Sequence, residues 1–246
     1  MHGNPNRPRV LFPAAVFLTV AFLASGGLAA LQPATGIPGE VIELVQFGPA
    51  VAVGVLVLLR RRRISAVLAG TFGGRFRPAV LLTAPLIIAA AAVPYGLLSP
   101  EGGFEAPEHS FALIAVAQFV GACGEEIGWR CLLQPLLRTR FGVLTSSVAV
   151  GLLWGGWHVQ VFAQDPLYAA SFVLGTVSMS VILGLALDRS GHRLLIAGAF
   201  HTLINLGLLL LMDTETGAVL PMALFGASCL VAALLWASTR RASIRA

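Results

Sequence analysis

Eight runs of apolar residues, separated by glycine, proline or charge, make up most of the chain: residues 10–31, 41–59, 78–98, 111–137, 143–162, 167–187, 194–212 and 218–237. Each is close to the ~20 residues that a helix needs to cross a hydrocarbon core of about 30 Å. The pattern predicts an all-α fold, a polytopic membrane helix bundle of about eight transmembrane helices. The first run is longer than the apolar core of about 7–15 residues expected of a cleaved signal peptide, so it is read as helix one. The second helix is expected to stop at Arg60-Arg61-Arg62-Arg63, and the last at Arg240, Arg241 and Arg245. Pro85 and Pro94 should kink the third helix where its neighbours can absorb the freed carbonyls. Gly151 and Gly155 have the small-x-x-x-small spacing that lets another helix backbone come close.

Composition narrows the class. The chain is 57% hydrophobic and 11% charged, with a mean hydropathy of +0.86, whereas a soluble domain carries about 25% charged residues. Eight spans and their loops use the whole length, which implies one integral-membrane domain over residues 1–246. A net charge of +5 could suggest nucleic acid as a partner, but the pattern argues against it: the 16 basic residues are all arginines, and apart from Arg130 they flank apolar runs. Arg7, Arg9, Arg60–Arg63, Arg75, Arg77, Arg138, Arg140, Arg189, Arg193, Arg240, Arg241 and Arg245 fall on the side shared by both termini. The opposite loops carry Glu40, Glu101, Glu105, Glu108, Asp165, Asp213 and Glu215 and no arginine. By the positive-inside rule both termini are expected in the cytoplasm, and the span count is even. Cys123, Cys131 and Cys229 lack a C-x-x-C spacing and read as small core residues.

Charge inside a span is the exception that points to chemistry. Glu125, Glu126 and Arg130 interrupt the fourth run, where each charge costs about 2.5–3.5 kcal/mol on insertion scales. Glu126 and Arg130 stand i, i+4 on one helix face and can pair. Glu125 lies about 100° round the helix, which leaves one carboxylate free for chemistry. His158 near the far end of the fifth run, and His201 and Asn205 on one face of the seventh, lie at a comparable depth. A desolvated carboxylate beside a neutral imidazole can activate water. His201 and Asn205 can both aim donors at a developing oxyanion. Glu125, His158 and His201 could instead ligate Zn²⁺ with one position left for water, and residue types alone leave both open.

Glu125-Glu126-x-x-x-Arg130, Trp154-x-x-x-His158 and His201-x-x-x-Asn205, in that order on separate apolar helices, resemble the CAAX protease and bacteriocin-processing family of intramembrane proteases. The likeness covers about residues 118–208. Within it the family often has Phe where this chain has Trp154. The resemblance implies an intramembrane endopeptidase, of metalloprotease or glutamate-dependent type, with Glu125 and His158 activating water and His201 and Asn205 holding the oxyanion or completing a metal site. Glu126 and Arg130 would then support the geometry or contact substrate. It also implies a membrane-anchored peptide or protein as substrate, cut near the cytoplasmic face, with Zn²⁺ or no metal. The alternatives are a non-catalytic membrane regulator or bacteriocin-immunity partner, and a proton-coupled carrier. The carrier would use the same intramembrane acids and imidazoles as a relay, but the chain has neither the length nor the repeats expected of one.

Overall fold

The computed structural model of the chain describes residues 10–71, 78–99, 102–188, 190–212 and 217–245, without the side chains of residues 240–245. Arg7, Arg9, Arg75, Arg77, Glu101, Arg189, Asp213 and Glu215 lie outside these residues. Regular structure among the described residues is helical throughout: α1 (Leu11–Thr35), α2 (Gly48–Ala69), α3 (Thr83–Leu98), α4 (Phe111–Arg138), α5 (Val143–Trp157), α6 (Pro166–Leu187), α7 (Arg193–Leu211) and α8 (Val219–Arg245). Short 3-10 turns at Leu44–Phe47 and Pro78–Leu82 lead into α2 and α3, and another at Val159–Ala163 follows α5. With their leading turns, all but α5 are long and apolar enough to cross a membrane. At 15 residues, α5 spans only about 22 Å.

Large apolar side chains face outward on most spans, including Leu23, Leu58, Leu97 and Val116. In water such a surface would drive aggregation; in lipid it is the expected exterior. The chain is a multi-pass integral membrane protein. Inside, helix contacts close a cycle in which α4 meets α7, α7 meets α3, α3 meets α8, α8 meets α6, α6 meets α5 and α5 returns to α4. The pair α1 and α2 packs on α4 from outside the cycle. The most enclosed span is α6, with 72% of its apolar window buried. It meets α5 through the predicted glycine pair: a Cβ on Gly151 would lie 2.5 Å from Val177 Cα. Thr176 Oγ1 donates to the Gly151 carbonyl at 3.3 Å across this contact.

Several boundaries differ from the sequence expectation for physical reasons. Beyond Arg60–Arg63, α2 continues to Ala69 after a break at Arg60 (φ −142°, ψ 44°), and α8 continues to Arg245. Arginine is a good helix former, so a run of charge marks where the hydrocarbon ends and not where the helix must. Pro85 sits in the first turn of α3, where its missing N–H has no intrahelical partner to lose, so only Pro94 lies in the helix interior. The fifth apolar run is not one helix, because α5 ends at Trp157.

Candidate active site

The break in α4 sets up the site. Its regular α-helix runs to Gly128, and a π-helical turn follows at Trp129–Leu133, in which the Gln134 amide reaches back five residues to the Trp129 carbonyl. Such bulges widen one turn and are frequent at functional sites. Packing from the N-terminal helices allows no Cβ at Gly128, where one would sit 2.6 Å from Pro49 Cβ and 2.8 Å from the Phe17 ring. The next residue, Trp129, is fully buried, edge-on to the same Phe17 (5.2 Å) and to Trp157 (6.0 Å).

Glu126 and Arg130, 0% and 1% exposed, form the predicted i, i+4 pair, with Arg130 Nε 3.3 Å from Glu126 Oε2. The second oxygen of Glu126 faces His201 Nδ1 at 3.1 Å, so this carboxylate is held between its own helix and α7. Glu125 turns elsewhere. Trp154 Nε1 donates to its Oε2 at 2.8 Å, and Gln46 Nε2 reaches its Oε1 at 3.4 Å. It is buried and, among the described residues, forms no ion pair.

Trp154 gathers the other members. Arg130 Cζ stacks 4.7 Å from its ring, and the His201 and His158 rings lie 5.2 and 6.1 Å away. His158 leaves the helix at ψ 64°. Its amide donates to the Gly155 carbonyl at 3.2 Å, and its Nδ1 lies 2.9 Å from the Trp154 carbonyl. A carbonyl only accepts, so Nδ1 carries the proton and Nε2 is left as the acceptor of the neutral ring. One residue thus satisfies two of the orphan carbonyls of the last turn, which is the physical reason that the helix ends there. Edge contacts to Trp157 (4.8 Å) and Phe172 (4.9 Å) fix the ring.

Asn205 takes its hydrogen-bond partner outside this cluster. Half-buried one turn beyond His201, it donates through Nδ2 to Gln118 Oε1 at 3.1 Å. Both line a cleft of about 250 Å³ with Glu40, Glu43 and Gln46, and Gln46 connects the cleft to Glu125. The cleft lies on the side of the acidic loops, opposite Arg138 and Arg193. Asn205 lies past His201 on a helix that starts at Arg193, which carries the polar line away from the arginines. At the cleft mouth Glu40 Oε2 lies 2.8 Å from His109 Nδ1, and Glu40 Oε1 accepts from the Glu108 amide at 2.9 Å. The hydrogen bond from His109 is the main influence holding the Glu40 carboxyl below its ordinary range.

A zinc cradle would bring ligand atoms within about 4.2 Å of one another, since each lies about 2.1 Å from the ion. Among the described residues the close group of three such side chains is Glu40, Glu108 and His109, within 4.8 Å of one another. Glu125, His158 and His201 are not drawn together to that degree. As arranged here, they do not fit around one ion.

Residues 107–207 match the family of type II CAAX prenyl endopeptidase Rce1-like proteins. That match is consistent with the resemblance to the CAAX protease and bacteriocin-processing family drawn from the motifs. Similar proteins include a CAAX prenyl protease 2 of Methanococcus maripaludis, 26% identical over 56% of this chain and 57% of that protein. Lysostaphin resistance protein A of Staphylococcus epidermidis is 26% identical over 84% of this chain and 56% of its own length. The Staphylococcus aureus protein of the same name is 24% identical over 92% and 59%. The chain therefore spans less than two thirds of the length of these relatives. The matched region holds all three family motifs and covers α4 through most of α7.

Sequence spacing did not single out Gln46, Gln118, the indole N–H of Trp154 or the π turn. The glutamines left a signal: Gln118 is the lone polar residue between Phe111 and Cys123, and Gln46 interrupts the second apolar run. A polar side chain inside a span wants a partner, and here both amides join the polar line that leads to Glu125.

Proposed function

We propose that this chain is an intramembrane endopeptidase that hydrolyses a peptide bond of a membrane-associated protein or peptide. The observation that carries the reading is the division of labour between adjacent carboxylates. Glu126 is paired with Arg130 and in contact with His201, while Glu125 is buried without an ion pair and held by neutral donors. A carboxylate oriented in this way serves as a general base.

In the proposed reaction water approaches Glu125 from the cleft lined by Gln46 and Asn205. Glu125 takes a proton as the water oxygen bonds to the peptide carbonyl carbon, and His158 orients the water through Nε2. The tetrahedral oxyanion receives hydrogen bonds from Asn205 and from Nε2 of His201, which as an imidazolium is paired with Glu126. The C–N bond then breaks, and the proton held by Glu125 passes to the departing amine. For Asn205 to take part, its amide must leave Gln118, so substrate binding exchanges one hydrogen bond for another. The arrangement of donors favours side chains and water over a three-ligand metal centre. By the positive-inside rule we orient Arg138 and Arg193 to the cytoplasm, which puts the Asn205 cleft on the opposite face.

The test is cleavage of a membrane-anchored reporter by the wild-type chain and by Glu125→Gln and His158→Ala variants that still insert and fold. Loss of cleavage in both is expected. Unchanged cleavage would remove Glu125 and His158 from the mechanism, and a phenotype that persists without any cleavage would favour a non-catalytic membrane regulator.

A further inference from the structure

We propose that the ends of α4, α6 and α7 form a binding site for the phosphate group of an anionic lipid, on the arginine-bearing side and in touch with the active-site cluster through Arg130. A second cleft, of about 300 Å³, opens here between Arg130, Gln134, Arg138, Thr139, Asp188 and Arg193. At the rim Arg138 and Arg193 face one acid, Asp188, while Arg130, paired with Glu126, lies below them. Asp188 is already engaged by Arg138 Nη2 at 3.0 Å, and Arg193 donates through Nε to the Ser190 carbonyl at 3.2 Å. On the floor, Arg130 is 1% exposed, yet its Nη1 and Nη2 are buried and find no hydrogen-bond acceptor among the described residues. A buried guanidinium with idle donors is costly unless an acceptor arrives, and a phosphate oxygen, directly or through water, is such an acceptor.

The level of the site selects a lipid over a soluble anion. Arg138 ends α4, Leu187 ends α6 and Arg193 begins α7, so the rim lies where headgroup phosphates lie. Basic pockets between transmembrane helices on the cytoplasmic side are suited to such headgroups. Phe141 and Leu195, within three residues of the rim arginines along the chain, are 42% and 53% exposed and offer acyl chains an apolar surface. The first turn of α7, which has no side-chain cap, adds the positive end of its dipole to the rim.

The experiment is native mass spectrometry of the full chain in neutral detergent, titrated with phosphatidylglycerol, with phosphatidylcholine and, in a third arm, with inorganic phosphate. The expected result is a preference for phosphatidylglycerol that inorganic phosphate does not reproduce. Arg193→Gln should weaken it about fivefold, the equivalent of ~1 kcal/mol for one basic side chain. Asp188→Asn, which removes the competing acid, should strengthen it, an outcome that mere destabilisation cannot give. The double variant Arg62→Gln, Arg63→Gln, on α2, is the control and should leave it unchanged. Equal binding of the two lipids would overturn the proposal, as would equal loss in the control, no gain with Asp188→Asn, or displacement by inorganic phosphate at similar affinity. Binding of a peptide C-terminus at these arginines in place of lipid would overturn it in favour of a substrate subsite.

Discussion

Trp154→Phe isolates one hydrogen bond at the centre of the account. The indole N–H of Trp154 meets Glu125 Oε2 at 2.8 Å in a buried setting, and phenylalanine keeps a ring against Arg130 and His201 while removing only the donor. A hydrogen bond to a charged group contributes about 1.5–3 kcal/mol. If Glu125 is the base and Trp154 orients it, most of that is lost from the transition state, and kcat/KM falls about 10- to 100-fold. The fall should lie in kcat, with KM nearly unchanged, because no contact to the substrate is touched. The assay is initial-rate cleavage of a membrane-anchored reporter by purified variants, with thermal unfolding as a check that the fold is intact. Wild-type kcat in Trp154→Phe would refute the positioning role. That outcome would mean that this chain tolerates phenylalanine at this position, and that Glu125 is held by other means.

Other perturbations follow from the same geometry. Arg130→Gln leaves Glu126 with one partner in place of two, and breaking a buried pair costs about 3–5 kcal/mol; thermal unfolding in detergent should show the loss, and a wild-type midpoint would contradict it. The Glu40–His109 clamp gives an acid-side dependence. Because the Glu40 carboxyl is held below its ordinary value of 4.5, its contribution is present above that value and disappears as pH falls through the lowered one. His109→Ala should remove this component, so wild type and variant converge in acid and diverge towards neutral pH; parallel curves throughout would argue against the clamp.

The membrane fold was legible because its signal is the least ambiguous one in sequence: eight apolar runs of spanning length, bounded by arginines and acids. The ion pair was legible too, since i, i+4 spacing on a helix fixes which side chains meet, and Glu126 meets Arg130. Neither the exit of His158 from its helix nor the π turn could be read from period and hydropathy, because both depend on where single carbonyls find partners. The partner taken by Asn205 has a similar origin. It shares a helix face with His201, but Gln118, contributed by α4, engages it first. Tertiary partners for amides are set by helix packing, which the one-dimensional pattern does not contain.

The central claim is that Glu125 acts on water to cut a peptide bond, and its most direct test is product mass spectrometry in heavy-oxygen water. Membranes carrying the wild-type chain are compared with membranes carrying Glu125→Gln. The account predicts new peptide C-termini that carry the heavy label with the wild type and are absent with the variant. Identical product spectra from the two membranes would contradict it.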